Sequence, residues 1–399
     1  MKRIILLVSI IYLLIVPITY HPGTKLVLYY ASLGNEKVLN IYKYLNENVD
    51  NAPKFHYPPM NYWIVKAELS VVKLVGGNGV VKWLGVGSNI AFLDKNIFLY
   101  NLATKFPLLI LLLICGFMVY KISKKAGLSE NRSRFASLVW YLNPITIYSG
   151  VMMGQNDILA ILPFMVGFLF YFDNPILAFT LFGLGSSIKS FPLIWAIALA
   201  GVYPTKNWLK KTCLALISVL FYLITILPFL KYDYFVKDVL NSGLAMRMFE
   251  SAIDFGGIRL SVVPLMLIIV TLIGIKNNMG KNYIGLCTLL IAINFVVLGF
   301  SDFNPQWFIW IMPFWAILLA TLGGFVVLIL TMVPLAAIIL LFNDKFLYWG
   351  ILVPINPGLI NLPYIFELIK SPELINNLSH WLLTSLAIYW LYVCARFKK

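Results

Sequence analysis

Long apolar runs separated by short polar segments dominate the hydrophobicity pattern of this chain. A helix needs about 20 residues to cross a bilayer, and twelve runs approach that length, although the fifth and sixth are shorter. The runs cover residues 4–20, 99–120, 134–150, 157–172, 175–188, 190–203, 212–230, 259–275, 283–300, 307–321, 324–342 and 379–395. The pattern predicts an all-α polytopic membrane protein with about 12 transmembrane helices.

The composition agrees with this class and excludes others. With 61% hydrophobic and 12% charged residues, the chain is too apolar to bury its side chains in a soluble core. The net charge of +15 does not indicate nucleic-acid binding, because the basic residues are spread over loops without an aromatic-interleaved stripe. The cysteines lack paired spacing and the histidines are scattered, so we expect neither a metal nor another cofactor.

The charged residues between the runs predict the orientation of the helices. Basic residues concentrate in short alternating segments, such as 121–134 and 206–211. The positive-inside rule places these segments, together with the N-terminus, in the cytoplasm. Nearly all acidic residues then fall on the outer face, so we expect any carboxylate chemistry there.

The long polar segments all fall on that outer side, which predicts a helical membrane base beneath a modest external cap. We divide the chain into a membrane module, residues 1–322, and C-terminal helices, residues 323–399. The first part includes an outer loop at 20–98, and the second includes an outer loop at 343–377.

Two amphipathic segments within the first outer loop predict helices that lie on the outer membrane surface. They cover residues 35–48 and 61–75, and the second carries Lys66, Glu68 and Lys73 on its polar side. The apolar positions at helical spacing are Val38, Ile41, Tyr42 and Leu45 in the first segment and Trp63, Ile64, Ala67 and Val71 in the second.

Ionisable residues at a membrane boundary are costly, so each is a candidate for function. Gln155, Asn156 and Asp157 lie at the outer end between the third and fourth runs, and Lys189 lies at the outer end between the fifth and sixth. An acid, two amides and a lysine thus converge on one membrane level. Taken singly, Asp157 is also explained as a helix N-cap and Lys189 as a snorkelling lysine.

Other outer segments add further candidates. Glu36 falls in the first turn of the predicted surface helix, where the helix dipole favours its ionised form. Taken alone, it is also explained as a plain surface carboxylate that caps this helix. Gln306 lies in the polar segment 302–307, whose aromatic residues we interpret as a membrane-interface belt. Arg247 and Arg259 supply cations from a third outer segment.

Several short motifs, each weak alone, occur in an order that resembles the GT-C superfamily of membrane glycosyltransferases, which use polyprenyl-phosphate sugars as donors. Within this superfamily, residues 1–320 are similar to the catalytic subunit of GPI mannosyltransferase I and to prokaryotic polyprenol-phosphate mannosyltransferases. The motifs are the loop acid Glu36, Tyr57-Pro58-Pro59, Trp140-x-x-Asn143-Pro144 followed by Gly154-Gln155-Asn156-Asp157, Lys189-x-x-Pro192, and Asn304-x-Gln306-Trp307-x-x-Trp310.

The resemblance implies transfer of a hexose, with mannose favoured, from a polyprenyl (dolichyl) phosphate donor to a lipid-linked glycan or glycolipid acceptor. The site would be extracytoplasmic or lumenal, in a cell membrane or an endoplasmic reticulum membrane. The essential first-loop acid of the family is usually Asp, where this chain has Glu36, and Asp50 is the alternative base. The expected substrate-binding residues are Tyr57, Gln155, Asn156, Asp157, Lys189, Arg247, Arg259 and Gln306.

The chemistry fits these residues. A lipid phosphate is already a good leaving group, so one base that deprotonates the acceptor hydroxyl suffices, with cations to hold the departing phosphate. We therefore expect single displacement with inversion at the sugar C1. Two other classes of function stay open: a lipid-linked-sugar flippase or transporter in which Asp157 and Lys189 form a gate, and a non-catalytic scaffold.

Overall fold

The computed structural model describes residues 1–33, 40–48, 55–323 and 325–397. About 78% of the chain is helical, as expected where backbone groups in lipid must bond within their own segment. The α-helices are α1 (Lys2–Ile15), α2 (Pro22–Ser32), α3 (Ile41–Asn48), α4 (Pro59–Leu84), α5 (Ile97–Lys125), α6 (Glu130–Leu142), α7 (Asp157–Leu169), α8 (Pro175–Ile188), α9 (Pro192–Val202), α10 (Trp208–Ile226), α11 (Asp233–Phe235), α12 (Gly243–Glu250), α13 (Val262–Lys276), α14 (Tyr283–Phe300), α15 (Met312–Leu322), α16 (Phe325–Leu341) and α17 (Pro372–Arg396).

Shorter elements connect these helices. Two π-helical segments cover Thr146–Met152 and Val236–Leu240. A two-stranded antiparallel hairpin consists of β1 (Ala252–Phe255) and β2 (Ile258–Ser261). Single 3₁₀ turns cover Ala91–Leu93, Leu227–Phe229, Met279–Lys281, Pro305–Trp310, Lys345–Leu347, Trp349–Leu352, Pro357–Asn361 and Ile365–Leu368.

Every predicted apolar run corresponds to one or two of these helices, but they differ in length. Among the described residues, α5, α10 with its following turn, α14 and α17 are long and apolar enough to cross a membrane, and one bent pair makes a fifth. The 14-residue α8 is about 21 Å long, shorter than the roughly 30 Å hydrocarbon core. The all-α membrane class is confirmed, and the count of 12 spans is not.

Large apolar side chains stay exposed along one face of several helices. Contiguous exposed apolar surface is rare in soluble proteins, so these faces indicate contact with lipid. They include Leu6, Leu7, Ile10, Leu13 and Leu14 on α1, Leu216, Leu220 and Ile224 on α10, Ile268 and Leu272 on α13, and Val326, Ile329 and Val333 on α16.

The predicted third run, residues 134–150, is broken. α6 ends at Leu142 because Asn143, which precedes Pro144, adopts an extended backbone. The following π-helical segment Thr146–Met152 and α7 form a bent pair with an angle of 118°. Gly154 makes this bend with φ 67°, a left-handed conformation that costs glycine little. The break places Asp157 at the first position of α7.

The first outer loop contains a helix that the pattern did not predict, α2, and a shorter version of the first predicted surface helix, α3. Residues 34–39 and 49–54 lie outside the described residues. Ile41, Tyr42 and Leu45 of α3 are buried against protein, and the Tyr42 ring lies 4.9 Å from the Phe235 ring, centroid to centroid. The prediction that this face lies on the membrane surface is therefore wrong.

α4 extends well beyond the predicted residues 61–75 and is interrupted at Gly77, which has φ 67°. Its protein-facing positions are Tyr62, Val65, Leu69 and Val72. Members of the predicted apolar face are instead partly exposed, including Trp63 and Val71 at 39% and 37%. The periodicity was ambiguous because apolar residues occur on both sides of this helix.

The hairpin occupies the start of the predicted run 259–275, so α13 begins only at Val262. Gly256 and Gly257, both with positive φ, form the two-residue turn that joins the strands. Ile253 pairs with Leu260 and Phe255 with Ile258. All four of these apolar side chains share one face of the hairpin, because partners and alternate residues point to the same side.

Polar contacts join the C-terminal helices and the 343–377 segment to the rest of the chain. The Thr384 hydroxyl of α17 donates to the Gly299 carbonyl at 2.6 Å. The Tyr20 amide donates to the Ile351 carbonyl at 2.9 Å, and the Tyr148 hydroxyl donates to the Leu347 carbonyl at 2.8 Å. The division of the chain at residues 322 and 323 stays a prediction.

Candidate functional site

The structure brings Asp157 and Lys189 together as a buried ion pair. Lys189 Nζ donates to Asp157 Oδ1 at 2.7 Å, and the two side chains are 16% and 0% exposed. Asp157 begins α7 and Lys189 directly follows the last residue of α8. The positive end of one helix dipole and the negative end of another therefore favour the charges present. Neither an isolated N-cap nor a snorkelling lysine describes this arrangement.

Trp310 is a third member of this cluster. Its indole N–H donates to Asp157 Oδ1, the same oxygen that accepts from Lys189. Phe191 stacks on the indole with centroids 3.8 Å apart and planes 7° apart, and Trp307 stacks at 5.0 Å. Trp310 itself is buried, with 5% exposure. Its position in the Asn304-x-Gln306 motif was the available signal.

Tyr57 covers Lys189 from the side of the first outer loop. The ammonium lies 5.4 Å from the centroid of the Tyr57 ring and 6.0 Å from that of Trp310, distances typical of cation–π contact. The Tyr57 carbonyl accepts from the Tyr42 hydroxyl at 2.6 Å. The neighbouring His56 Nδ1 bonds the Asp238 carbonyl at 2.7 Å. These bonds fix the loop over the ion pair.

Opposing effects set the protonation of the cluster. Burial alone would lower the pKa of Lys189, but Asp157 and Tyr57 overcome that effect and the pKa is raised. Burial raises the pKa of Tyr57, although Lys189 partly opposes the rise. Lys189 therefore stays a cation and Tyr57 stays a neutral phenol at physiological pH.

Two buried oxygens of this region lack a partner among the described residues. They are Asp157 Oδ2 and Gln306 Oε1, the latter on the same short helix as Trp310. Buried polar atoms are almost always hydrogen-bonded, so each of these oxygens is a candidate acceptor for a water molecule or a ligand. The Asn156 side chain is 6% exposed, and Gln155 is held through its backbone amide, which donates to the Ser149 carbonyl at 3.1 Å.

The other predicted site residues do not join this cluster. Arg247 Nε lies 3.4 Å from an Asp302 carboxylate oxygen, and Arg247 Nη1 donates to Asn304 Oδ1 at 3.3 Å. Arg259 donates from the hairpin to the Glu250 carbonyl at 3.0 Å. Neither arginine bonds Asp157 or Lys189 in the part of the chain that the structure describes. The two candidate bases, Glu36 and Asp50, lie outside that part.

Lys105 and Thr24 support the bend before Asp157, although neither was among the predicted site residues. The Thr24 hydroxyl bonds the carbonyls of Met153 and Gly154 at 2.6 and 2.8 Å. Lys105 Nζ donates to the Thr19 carbonyl at 2.8 Å and to the Met152 carbonyl. A lysine inside the predicted second run is the kind of costly residue that indicates a specific role, so Lys105 was recognisable from sequence.

Substituting Gly154 with alanine should displace Lys105 and Thr24 from the bend and destabilise the protein. A Cβ there would lie 2.9 Å from Lys105 Cγ and 3.1 Å from Thr24 Oγ1, so overpacking of about 1 to 3 kcal/mol adds to the strain of a positive φ. Gly127→Ala is the matched control, because Gly127 has φ 85° but nothing within 4 Å. Thermal unfolding in detergent should show a larger loss for Gly154→Ala, and equal losses would contradict the packing argument.

Glu68 was assigned to the polar side of its helix, but its Oε1 is buried without a partner among the described residues. Burial raises the pKa of this carboxyl from 4.5 to about 8. The folded state therefore binds more protons than the unfolded state between these values, and stability should fall as the pH rises through that window.

Glu68→Gln should remove the part of the pH dependence of stability that comes from this carboxyl. We expect the melting temperature of the wild type to fall between pH 5 and pH 9 by more than that of Glu68→Gln. Glu47→Gln is the control, because Glu47 is exposed and pairs with Lys43 on the surface of α3. Parallel pH profiles for the wild type and Glu68→Gln would show that the carboxyl is ionised in the folded protein.

Comparison with models of known families, with curated proteins and with solved structures finds no match to this chain.

Proposed function

We propose that this membrane protein is an inverting glycosyltransferase that moves a hexose, with mannose favoured, from a polyprenyl-phosphate donor to a lipid-linked glycan or glycolipid acceptor. One observation carries the proposal: Asp157 presents a buried Oδ2 that has no partner among the described residues, beside a lysine that lies against two aromatic rings. A buried ion pair is weak support for stability, and charged groups placed this way commonly mark functional sites.

The cluster suits a sugar phosphate. An ionised carboxylate accepts hydrogen bonds from hydroxyl groups, and Oδ2 is the oxygen left for that purpose. Lys189 has three donor hydrogens and donates one of them to Asp157, so two stay available to a phosphate oxygen. The faces of Tyr57 and Trp310 supply the apolar walls that pockets for such ligands usually have.

The reaction needs one base beyond this cluster. The acceptor hydroxyl oxygen attacks C1 of the sugar, the bond between C1 and the phosphate oxygen breaks, and the hydroxyl proton passes to a carboxylate. The products are the glycosylated acceptor and polyprenyl phosphate. We assign the base to Glu36, with Asp50 as the alternative, because both lie in the loop that also carries Tyr57 over the cluster.

The same proposal includes the topology. The basic segments on one side and the acids on the other support about 12 crossings, with the Asp157 cluster at the extracytoplasmic or lumenal face of a cell membrane or an endoplasmic reticulum membrane. The shorter helices cross as tilted or broken spans in this arrangement, as membrane proteins allow where neighbouring helices satisfy the backbone.

Reconstitution of the purified protein into liposomes tests the proposal. We expect radiolabelled polyprenyl-phosphate mannose to transfer label to an added membrane-lipid extract, with less transfer from the corresponding glucose donor. Movement of the labelled donor between leaflets without a new glycosidic bond would favour the flippase, and neither transfer nor movement would favour the scaffold. Either result would overturn the proposed activity.

A further inference from the structure

A cavity of about 440 Å³ lies between the 302–303 segment and the C-terminal helices, and it shares no lining residue with the Asp157 cluster. This volume falls within the roughly 300 to 1,000 Å³ of small-molecule sites. Apolar side chains form much of its wall, including Phe303, Phe342 and Phe366, whereas Asp302, Asn343, Glu373, Asn376 and His380 supply polar groups.

Three of the five polar side chains belong to one helix. Glu373, Asn376 and His380 belong to α17, and spacings of three and four residues place them on one face. Their side chains donate and accept no hydrogen bond within the described ranges. The only ring contact of the imidazole there is with Phe303, at 5.8 Å between centroids. The cavity thus combines aromatic surface with a carboxylate, an amide and an imidazole of α17 that make no hydrogen bond within the described ranges. The imidazole also interacts electrostatically with Asp302.

We propose that this cavity binds a neutral sugar of the acceptor glycan. Carboxylates and amides bond hydroxyl groups, and aromatic faces pack against the apolar face of a sugar ring. A phosphate or another anion is disfavoured, because Asp302 and Glu373 line the cavity and the nearby Arg247 is already paired with Asp302. The assignment of the sugar to an acceptor rests on the proposed function, whereas sugar binding does not.

The cavity is connected to the Asp157 cluster by a short stretch of chain. Asp302 lines the cavity and Trp310 bonds Asp157. The intervening turn Pro305–Trp310 rises about 10 Å at roughly 2 Å per residue, and three extended residues add about 10 Å. The separation between Asp302 and Trp310 is therefore at most about 20 Å, a distance that a glycan of a few sugars can span.

Asn376→Ala tests the proposal, and Asn377→Ala is its matched control, because the adjacent residue is exposed and does not line the cavity. With short neutral mannose oligosaccharides as probes, saturation-transfer NMR of the full-length protein should show signals that are lost in Asn376→Ala and kept in Asn377→Ala. A probe that carries a phosphate should give weaker signals. Signals that persist in Asn376→Ala, or that are absent in the wild type, would overturn the proposal.

Kinetics separate this proposal from the proposed function. If transfer is observed, Asn376→Ala should raise KM for the acceptor about tenfold, as expected for one lost hydrogen bond, and leave KM for the donor unchanged. Asn376-dependent binding without transfer would support sugar binding in the cavity and rule out the proposed glycosyltransferase activity. Transfer by Asn376→Ala with an unchanged acceptor KM and unchanged NMR signals would support the proposed activity and rule out sugar binding in the cavity.

Discussion

Replacing Asp157 with asparagine is expected to abolish hexose transfer and to lower the free energy of unfolding by about 3 to 5 kcal/mol. Asparagine keeps the shape of the side chain but leaves the buried Lys189 ammonium without a counter-charge. It also removes the carboxylate oxygen that we assign to a substrate hydroxyl. Transfer assays in liposomes and thermal unfolding in detergent measure the two effects on the same preparation.

Two comparisons separate stability from catalysis. Asp173→Asn removes one partner of the Lys125–Asp173 pair, whose side chains are 36% and 60% exposed, and should cost at most about 1 kcal/mol with no loss of transfer. Combining Asp157→Asn with Lys189→Met should restore much of the stability, because no buried charge is then left unpaired, but should not restore transfer. Recovery of activity in the double variant would show that the Asp157–Lys189 pair stabilises the fold but takes no part in transfer.

Glu36→Gln is expected to lower the rate of transfer by about 10²- to 10⁴-fold, the usual contribution of a general base, and to leave the melting temperature unchanged. The glutamine keeps the length of the side chain but has a negligible affinity for the acceptor proton. Single-turnover assays with saturating donor and acceptor report the chemical step directly.

Asp50→Asn is the comparison for this experiment, because Asp50 is the other acid proposed for the role. We expect Asp50→Asn to retain most of the activity. We expect Glu36→Asp to retain a measurable fraction, because the glycosyltransferases that this sequence resembles usually have aspartate there. If Asp50→Asn loses the activity and Glu36→Gln keeps it, the base is Asp50. Near-normal rates in both variants would remove both residues from the mechanism.

The membrane class and the approximate positions of most apolar helices were predictable from the sequence, because the apolar runs are long and separated by charged segments. The number of crossings was not. Hydrophobicity marks which residues avoid water but not where a helix ends, and the backbone preference of Asn143 before Pro144 breaks a run that looks continuous. Likewise, two glycines turn the residues before Val262 into a hairpin.

The sequence also indicated that Asp157 and Lys189 meet, because both fall at the same end of predicted helices. It did not predict Trp310 as their partner or the cavity beside α17. In a chain that is 61% hydrophobic, periodicity cannot distinguish a face covered by protein from a face covered by lipid, as the buried α3 and the exposed Trp63 show. Such assignments depend on tertiary contacts that a single sequence leaves open.

The bend before α7 has a consequence for how substrate preference can change. The backbone just before Asp157 is held by hydrogen bonds from Thr24 of α2 and Lys105 of α5. The position of the Asp157 backbone is therefore fixed by neighbouring helices. The preference for one sugar over another would then depend on the residues that form the walls of the proposed site, such as Tyr57, while the carboxylate stays in place. Under the proposed function, substitutions intended to alter the accepted sugar should therefore be made in the loop that carries Tyr57 and not in the bend.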